Sequence, residues 1–223
     1  MASLPIHLYF ELVAFVASVS LFFQKGTPRY MKTFPFFLLL TLVIEFVGWQ
    51  MQTVKAREKS IWLYNFFVIV IFDYYLFILK NFIRNIKVRQ VISFFLCMYP
   101  VIAIVDIFYI QKHEFHSFTY AFGCVLVVAG CIYYYLELFR APKFVNLIRE
   151  PAFWITAGLL FFHCCTFFFF SLINMLFKDS KFLLSANTIL KFVLFLFYLL
   201  FTIGFLCRLT FSRNKALKRA RMR

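Results

Sequence analysis

Residues 151–177 read PAFWITAGLLFFHCCTFFFFSLINMLF, with no Lys, Arg, Asp or Glu anywhere in the run. A helix rises ~1.5 Å per residue and the hydrocarbon core of a bilayer is ~30 Å thick, so about 20 apolar residues cross it. The segment from Ala152 to Phe177 exceeds that length. Pro151 opens it where a missing N–H costs nothing, and Glu150 suits the positive end of the helix.

Six further runs of the same kind flank it. They extend from Pro5 to Gln24, Phe34 to Gln52, Ile61 to Leu79, Val91 to Ile110, Phe118 to Leu138 and Asn187 to Cys207. The connections are short and carry charged or turn residues, such as Lys25-Gly-Thr-Pro28. The expected fold is all-α: a polytopic membrane bundle of seven transmembrane helices over residues 1–207, followed by a basic cytoplasmic tail, 208–223. No repeat and no soluble domain is expected. The first run has no Lys or Arg before it and reads as an uncleaved helix rather than a signal peptide.

Composition agrees. The chain is 64% hydrophobic, with 36 Phe among 223 residues, and only 15% charged. Soluble domains carry about 45–50% apolar and roughly 25% charged residues. The expected surroundings are therefore a multi-pass position in a lipid bilayer, a cell membrane of the bacterial inner-membrane kind. The net charge of +15 does not indicate nucleic acid, because the basic residues lie in short clusters between apolar runs. Of the 24 Lys and Arg, 17 fall in connections 1–2, 3–4 and 5–6 and the tail. By the positive-inside rule that set faces the cytoplasm and the N-terminus lies outside. The tail from Arg208 to Arg223 is expected to sit on anionic lipid headgroups or to dock a cytoplasmic protein partner.

Ionisable groups in lipid are costly and need partners or water. Glu11, Glu45, Asp73, Asp106, Glu137, His163 and Lys191 all fall within runs. Depth places Glu11, Glu45, Asn65, Asp106, Asn174 and Lys191 in the outer half, with His163 near the midplane. Helical phase gives each span one polar stripe: Thr41, Glu45 and Trp49; Asn65, Ile69 and Asp73; Thr156, His163 and Asn174; Lys191, Tyr198 and Thr202. Glu11, Ala14 and Ser18 form a small-residue stripe, as do Gly123, Gly130 and Glu137, of the kind that lets helices approach closely.

These positions predict an outward-facing polar pocket lined by Glu11, Glu45, Asn65, Asp106 and Lys191, with Trp49 at its rim, His163 deeper, and Lys191 paired to Glu45 or Glu11. The alternative is a set of buried ion pairs that fix helix register. Asp106 and Glu137 are expected to reach to the two membrane surfaces. No cofactor or metal is expected. Lys191 lies about one turn from its helix end, which argues against a mid-helix Schiff-base lysine. His113-Glu-Phe-His116 lacks the H-E-x-x-H spacing of a zinc site and reads as a solvated loop. Adjacent His163, Cys164 and Cys165 point in different directions, and the six cysteines read as small apolar fillers.

Two stretches carry a resemblance. Trp62-Leu-Tyr-Asn-Phe66 and Glu150-Pro-Ala-Phe-Trp-Ile-Thr-Ala-Gly-Leu-Leu-Phe-Phe162, with the seven-span layout, resemble a group of small uncharacterised bacterial seven-helix membrane proteins. The layout is also similar to the seven-helix input regions of bacterial sensor kinases, without the cytoplasmic output domain that those carry. The group carries no established activity; the outward-facing pocket is what points to a small-ligand sensor or accessory signalling subunit. A small-solute or ion transporter is the alternative, followed by a membrane scaffold and a lipid-modifying enzyme using Glu11 and Glu45.

Overall fold

The structure, a computed structural model, describes residues 5–23, 26–53, 57–110, 115–140, 147–171 and 188–207. Every regular element among them is helical. The helices are α1 (Ile6–Val19, closed by a 3₁₀ turn, Ser20–Phe22), α2 (Phe34–Thr53), α3 (Arg57–Phe82), α4 (Ile86–Val105), α5 (Ser117–Phe139), α6 (Pro151–Ser171) and α7 (Thr188–Cys207). Helix α4 continues into a π-helical turn, Asp106–Ile110. Six of the seven are long and apolar enough to cross a membrane. Ile6–Phe22 is shorter, about 25 Å at 1.5 Å per residue. Asn174 and the tail 208–223 lie outside the described residues.

Helices α3 and α4 begin four to five residues before the apolar runs do, at Arg57 and Ile86. Hydropathy stops at the first charges, whereas a helix persists until a cap ends it. Asn85 supplies that cap for α4, its side chain accepting the Lys87 N–H at 3.0 Å. Between α1 and α2 the chain turns at Gly26, whose φ of +84° suits a residue without a Cβ.

Helix α3 occupies the middle of the bundle. It packs on α2, α4 and α5, and its rings Phe72 and Tyr75 reach His163 of α6 and Phe197 of α7. The small-residue stripe of α5 makes one of these contacts close. A Cβ on Gly123 would lie 2.7 Å from the Phe72 ring, and one on Gly130 would lie 3.0 Å from Leu79 Cδ1. Gly158 and Gly204 do the same between α6 and α7.

The core is aromatic. Phe34 makes edge contacts with Tyr74, Phe201 and Phe205, and Phe37 stacks on Tyr74 at 3.9 Å. The outer surface is also apolar, with Phe36, Phe94, Phe118, Phe168 and Phe192 all exposed. A fold that is apolar inside and out is the pattern of a multi-pass membrane protein.

Candidate functional site: two buried carboxylate clusters

The polar stripe of α1 turns inward. Leu8, Glu11, Ala14 and Ser18 are its buried residues, one helical face. Glu11 is 0% exposed, and neither of its carboxylate oxygens has a hydrogen-bond partner among the described residues. Glu45 of α2 and Tyr198 of α7 are its electrostatic neighbours. Tyr198 comes close to the carboxylate without reaching hydrogen-bonding geometry.

Glu45 is the more open of the two acids, its side chain 29% exposed. Tyr64 of α3 donates its hydroxyl to Glu45 Oε2 at 3.2 Å. The ring reaches that far because Gly48 offers no Cβ; one there would lie 2.7 Å from Tyr64 Cζ. His7, one turn before Glu11, brings Nε2 to 3.8 Å from Glu45 Oε2, an ion pair whenever the imidazole is protonated. Trp49 is half-buried one turn beyond Glu45, against the Phe46 ring.

Lys191 does not make the expected pair. It is exposed, and no carboxylate of the described residues lies within ion-pair distance of it. It stays within electrostatic reach of His7. The reason is its stem: a lysine one turn inside a helix end can carry its ammonium to the interface while burying its methylenes. Glu11, with a shorter side chain on an inward face, has no such route.

Asn65 and Asp106 are tied to a different place. Asn65 is buried and holds His116, whose imidazole Nε2 lies 2.8 Å from the Asn65 carbonyl oxygen; the His116 N–H donates to Asn65 Oδ1 at 3.4 Å. Asp106, in the π turn, is 2% exposed. Its Oδ2 accepts the Thr119 hydroxyl at 2.5 Å and the Thr119 N–H at 3.3 Å. That carboxylate therefore caps the first turn of α5, where unpaired N–H groups and the helix dipole favour an anion. Asp106 was expected to reach to the membrane surface and His116 to be solvated; both are buried, because each satisfies the other side of the α4–α5 connection. Burial lowers the His116 pKa below the ordinary imidazole range, opposed by the Asn65 carbonyl and by Asp106.

His163 stands apart from both clusters. It is 1% exposed, donates from Nδ1 to the Leu159 carbonyl at 2.9 Å, and sits among the rings of Phe72, Tyr75 and Phe162. Glu137 accepts the Arg84 N–H at 2.8 Å and so holds the α3–α4 turn. Among the described residues no group of three His, Cys, Asp or Glu is placed to hold a metal.

Sequence reasoning missed His7, Tyr64, His116 and Thr119 as polar partners. For His7 a signal existed, since it precedes Glu11 by four residues on one helical face. Tyr64 and Thr119 carry no signal of their own, because which helix faces them is a tertiary fact. No family model matches the chain, and searches of curated proteins and of solved structures give no significant match.

Proposed function

We propose that this is a membrane sensor subunit that takes a small cationic ligand from the outer side, between α1, α2, α3 and α7. The observation that carries the reading is Glu11: a fully buried carboxyl group with both oxygens unpartnered, beside a second acid, Glu45. Buried polar groups in folded proteins are nearly always hydrogen-bonded, and an unmatched one marks a place where something else binds. Lys191 stands away from both acids, so a cationic ligand would meet them without a competing lysine. The hydroxyls of Tyr64 and Tyr198 are directed at the acids and add acceptors for an organic ammonium.

The outer position rests on the distribution of Lys and Arg, which places the start of α1 and the end of α2 outside. Sensing is favoured over transport by what lies deeper. Tyr75, Phe197, Phe201 and Phe34 are buried and packed ring against ring, and they offer a cation no polar path. A sensor of this kind acts through a cytoplasmic partner, for which connections 3–4 and 5–6 and the basic tail are the available surfaces.

The test is thermal unfolding of the purified protein with a panel of monovalent metal ions and small primary to quaternary amines. A ligand that binds only the folded state raises the midpoint. The expected result is a rise with one class of cation that Glu11→Gln and Glu45→Gln both abolish. A rise that survives both substitutions, or none across the panel together with no labelling of Glu45→Cys by an impermeant thiol reagent from outside, removes the reading. Uptake of the same cation into proteoliposomes replaces it with transport.

A further inference from the structure

We propose that the outer ends of α4 and α5 form a lipid site, distinct from the Glu11–Glu45 cluster, selective for a lipid whose headgroup can donate a hydrogen bond. A groove of about 490 Å³ runs between them, within the roughly 300–1,000 Å³ range of small-molecule pockets. Val101, Val105 and Ile110 form one wall and Phe118 and Phe122 the other, with Asp106 and Thr119 the polar residues among the described residues that line it. Its rim faces the bilayer: Ile110 is 64% and Phe118 71% exposed.

The polar part of the groove is unbalanced. Oδ2 of Asp106 is saturated by Thr119, while Oδ1, equally buried, has no partner among the described residues. A carboxylate oxygen accepts and does not donate. The occupant that answers both halves of this site is apolar along its length and carries an N–H or O–H at one end. A membrane lipid with an ammonium or hydroxyl headgroup has that chemistry, and Asp106–Ile110 close the 25-residue apolar helix Ile86–Ile110, the end that a bilayer's headgroups would meet. An ammonium adds charge complementarity to the hydrogen bond. A quaternary choline headgroup has the same charge and no donor.

That difference supplies the experiment. The full chain, purified and delipidated in detergent micelles, is titrated with phosphatidylethanolamine or phosphatidylcholine of identical acyl chains. Bound lipid is counted by native mass spectrometry and the unfolding midpoint is followed in parallel. The expected result is one retained phosphatidylethanolamine at about a tenfold lower concentration than phosphatidylcholine requires, the ratio one charged hydrogen bond supports. Val105→Trp, which fills the groove from a bilayer-facing position, is expected to erase that preference and to leave the lipid-free midpoint unchanged. Equal binding of the two lipids overturns the proposal and leaves Asp106 to water. A preference that survives Val105→Trp overturns it as well, by placing the site elsewhere. A dimer that Val105→Trp splits, with no lipid preference, overturns it in favour of a second copy of the chain.

Discussion

Gly123→Ala is expected to destabilise the bundle strongly, although on an isolated helix it would help. Alanine gains about 1 kcal/mol over glycine in a helix interior. Here the added Cβ would stand 2.7–2.8 Å from three atoms of the Phe72 ring. The ring has nowhere to go. It is fully buried, with Tyr99, Tyr120 and His163 centred 5.3–5.5 Å away. Tyr120 is itself held by its hydrogen bond to Thr166 at 3.2 Å. Overpacking of well-filled cores costs ~1–3 kcal/mol, and a ring fenced on three sides belongs at the upper end. Subtracting the helical gain leaves a loss of ~2 kcal/mol, roughly a 30-fold fall in the folded-to-unfolded ratio. Gly130→Ala is the internal control, because its Cβ meets only Leu79 Cδ1, at 3.0 Å, the rotatable end of a leucine. It should cost under ~1 kcal/mol. The assay is reversible unfolding in mixed micelles, wild type beside both variants. In a Gly123→Ala background, Phe72→Leu should cost much less than in wild type, since it relieves the clash. A Gly123→Ala protein as stable as wild type, or a Gly130→Ala protein less stable than Gly123→Ala, would refute the packing argument.

Three further outcomes are expected. Thr119→Val removes the hydroxyl on Asp106 and should cost ~1–3 kcal/mol, most of it restored by Thr119→Ser; equal stability of the Val and Ser variants contradicts the capping role. Gly48→Ala should push Tyr64 off α2 and break its bond to Glu45, so Tyr64→Phe, costing ~0.5–1.5 kcal/mol in wild type, should cost almost nothing in that background; additive losses in unfolding measurements would show that the two are independent. His116 has a lowered pKa when folded, so the unfolded state takes up its proton first: the stability this residue contributes is present above about pH 6.5 and is lost as pH falls below it. His116→Gln should accordingly flatten the pH dependence of the unfolding midpoint below about pH 6.5, and an unchanged slope would place the proton elsewhere.

The helices were legible because their signal is local. The run Phe34–Gln52 declares by apolar length alone the helix Phe34–Thr53, and the stripes of α1 and α5 declare a face by spacing. Glu11, Ala14 and Ser18 are all buried, as that spacing requires. What hydropathy could not show is how far a helix runs past its apolar window, as at Arg57 and Ile86. Nor does it show that α4 ends in a π turn, which places Asp106 on α5.

Position along the helices suggested one pocket for Glu45, Asn65 and Asp106; side-chain direction divides them between two clusters. Successive residues on a helix point ~100° apart. Tyr64 of α3 therefore meets Glu45 of α2 while Asn65, the next residue, meets His116 at the start of α5. Helix α3 stands between the two clusters and contributes one residue to each. Lys191 shows the same limit in its charge form. A sequence records that an ammonium and two carboxylates share one half of the bundle, and a neutralising pair follows from that count. The outcome depends instead on stem length and on which face each residue occupies. The lysine is exposed, Glu11 is fully buried, and no ion pair joins Lys191 to either acid. Glu45 keeps the Tyr64 hydroxyl and His7 beside it, while Glu11 has no hydrogen-bond partner among the described residues.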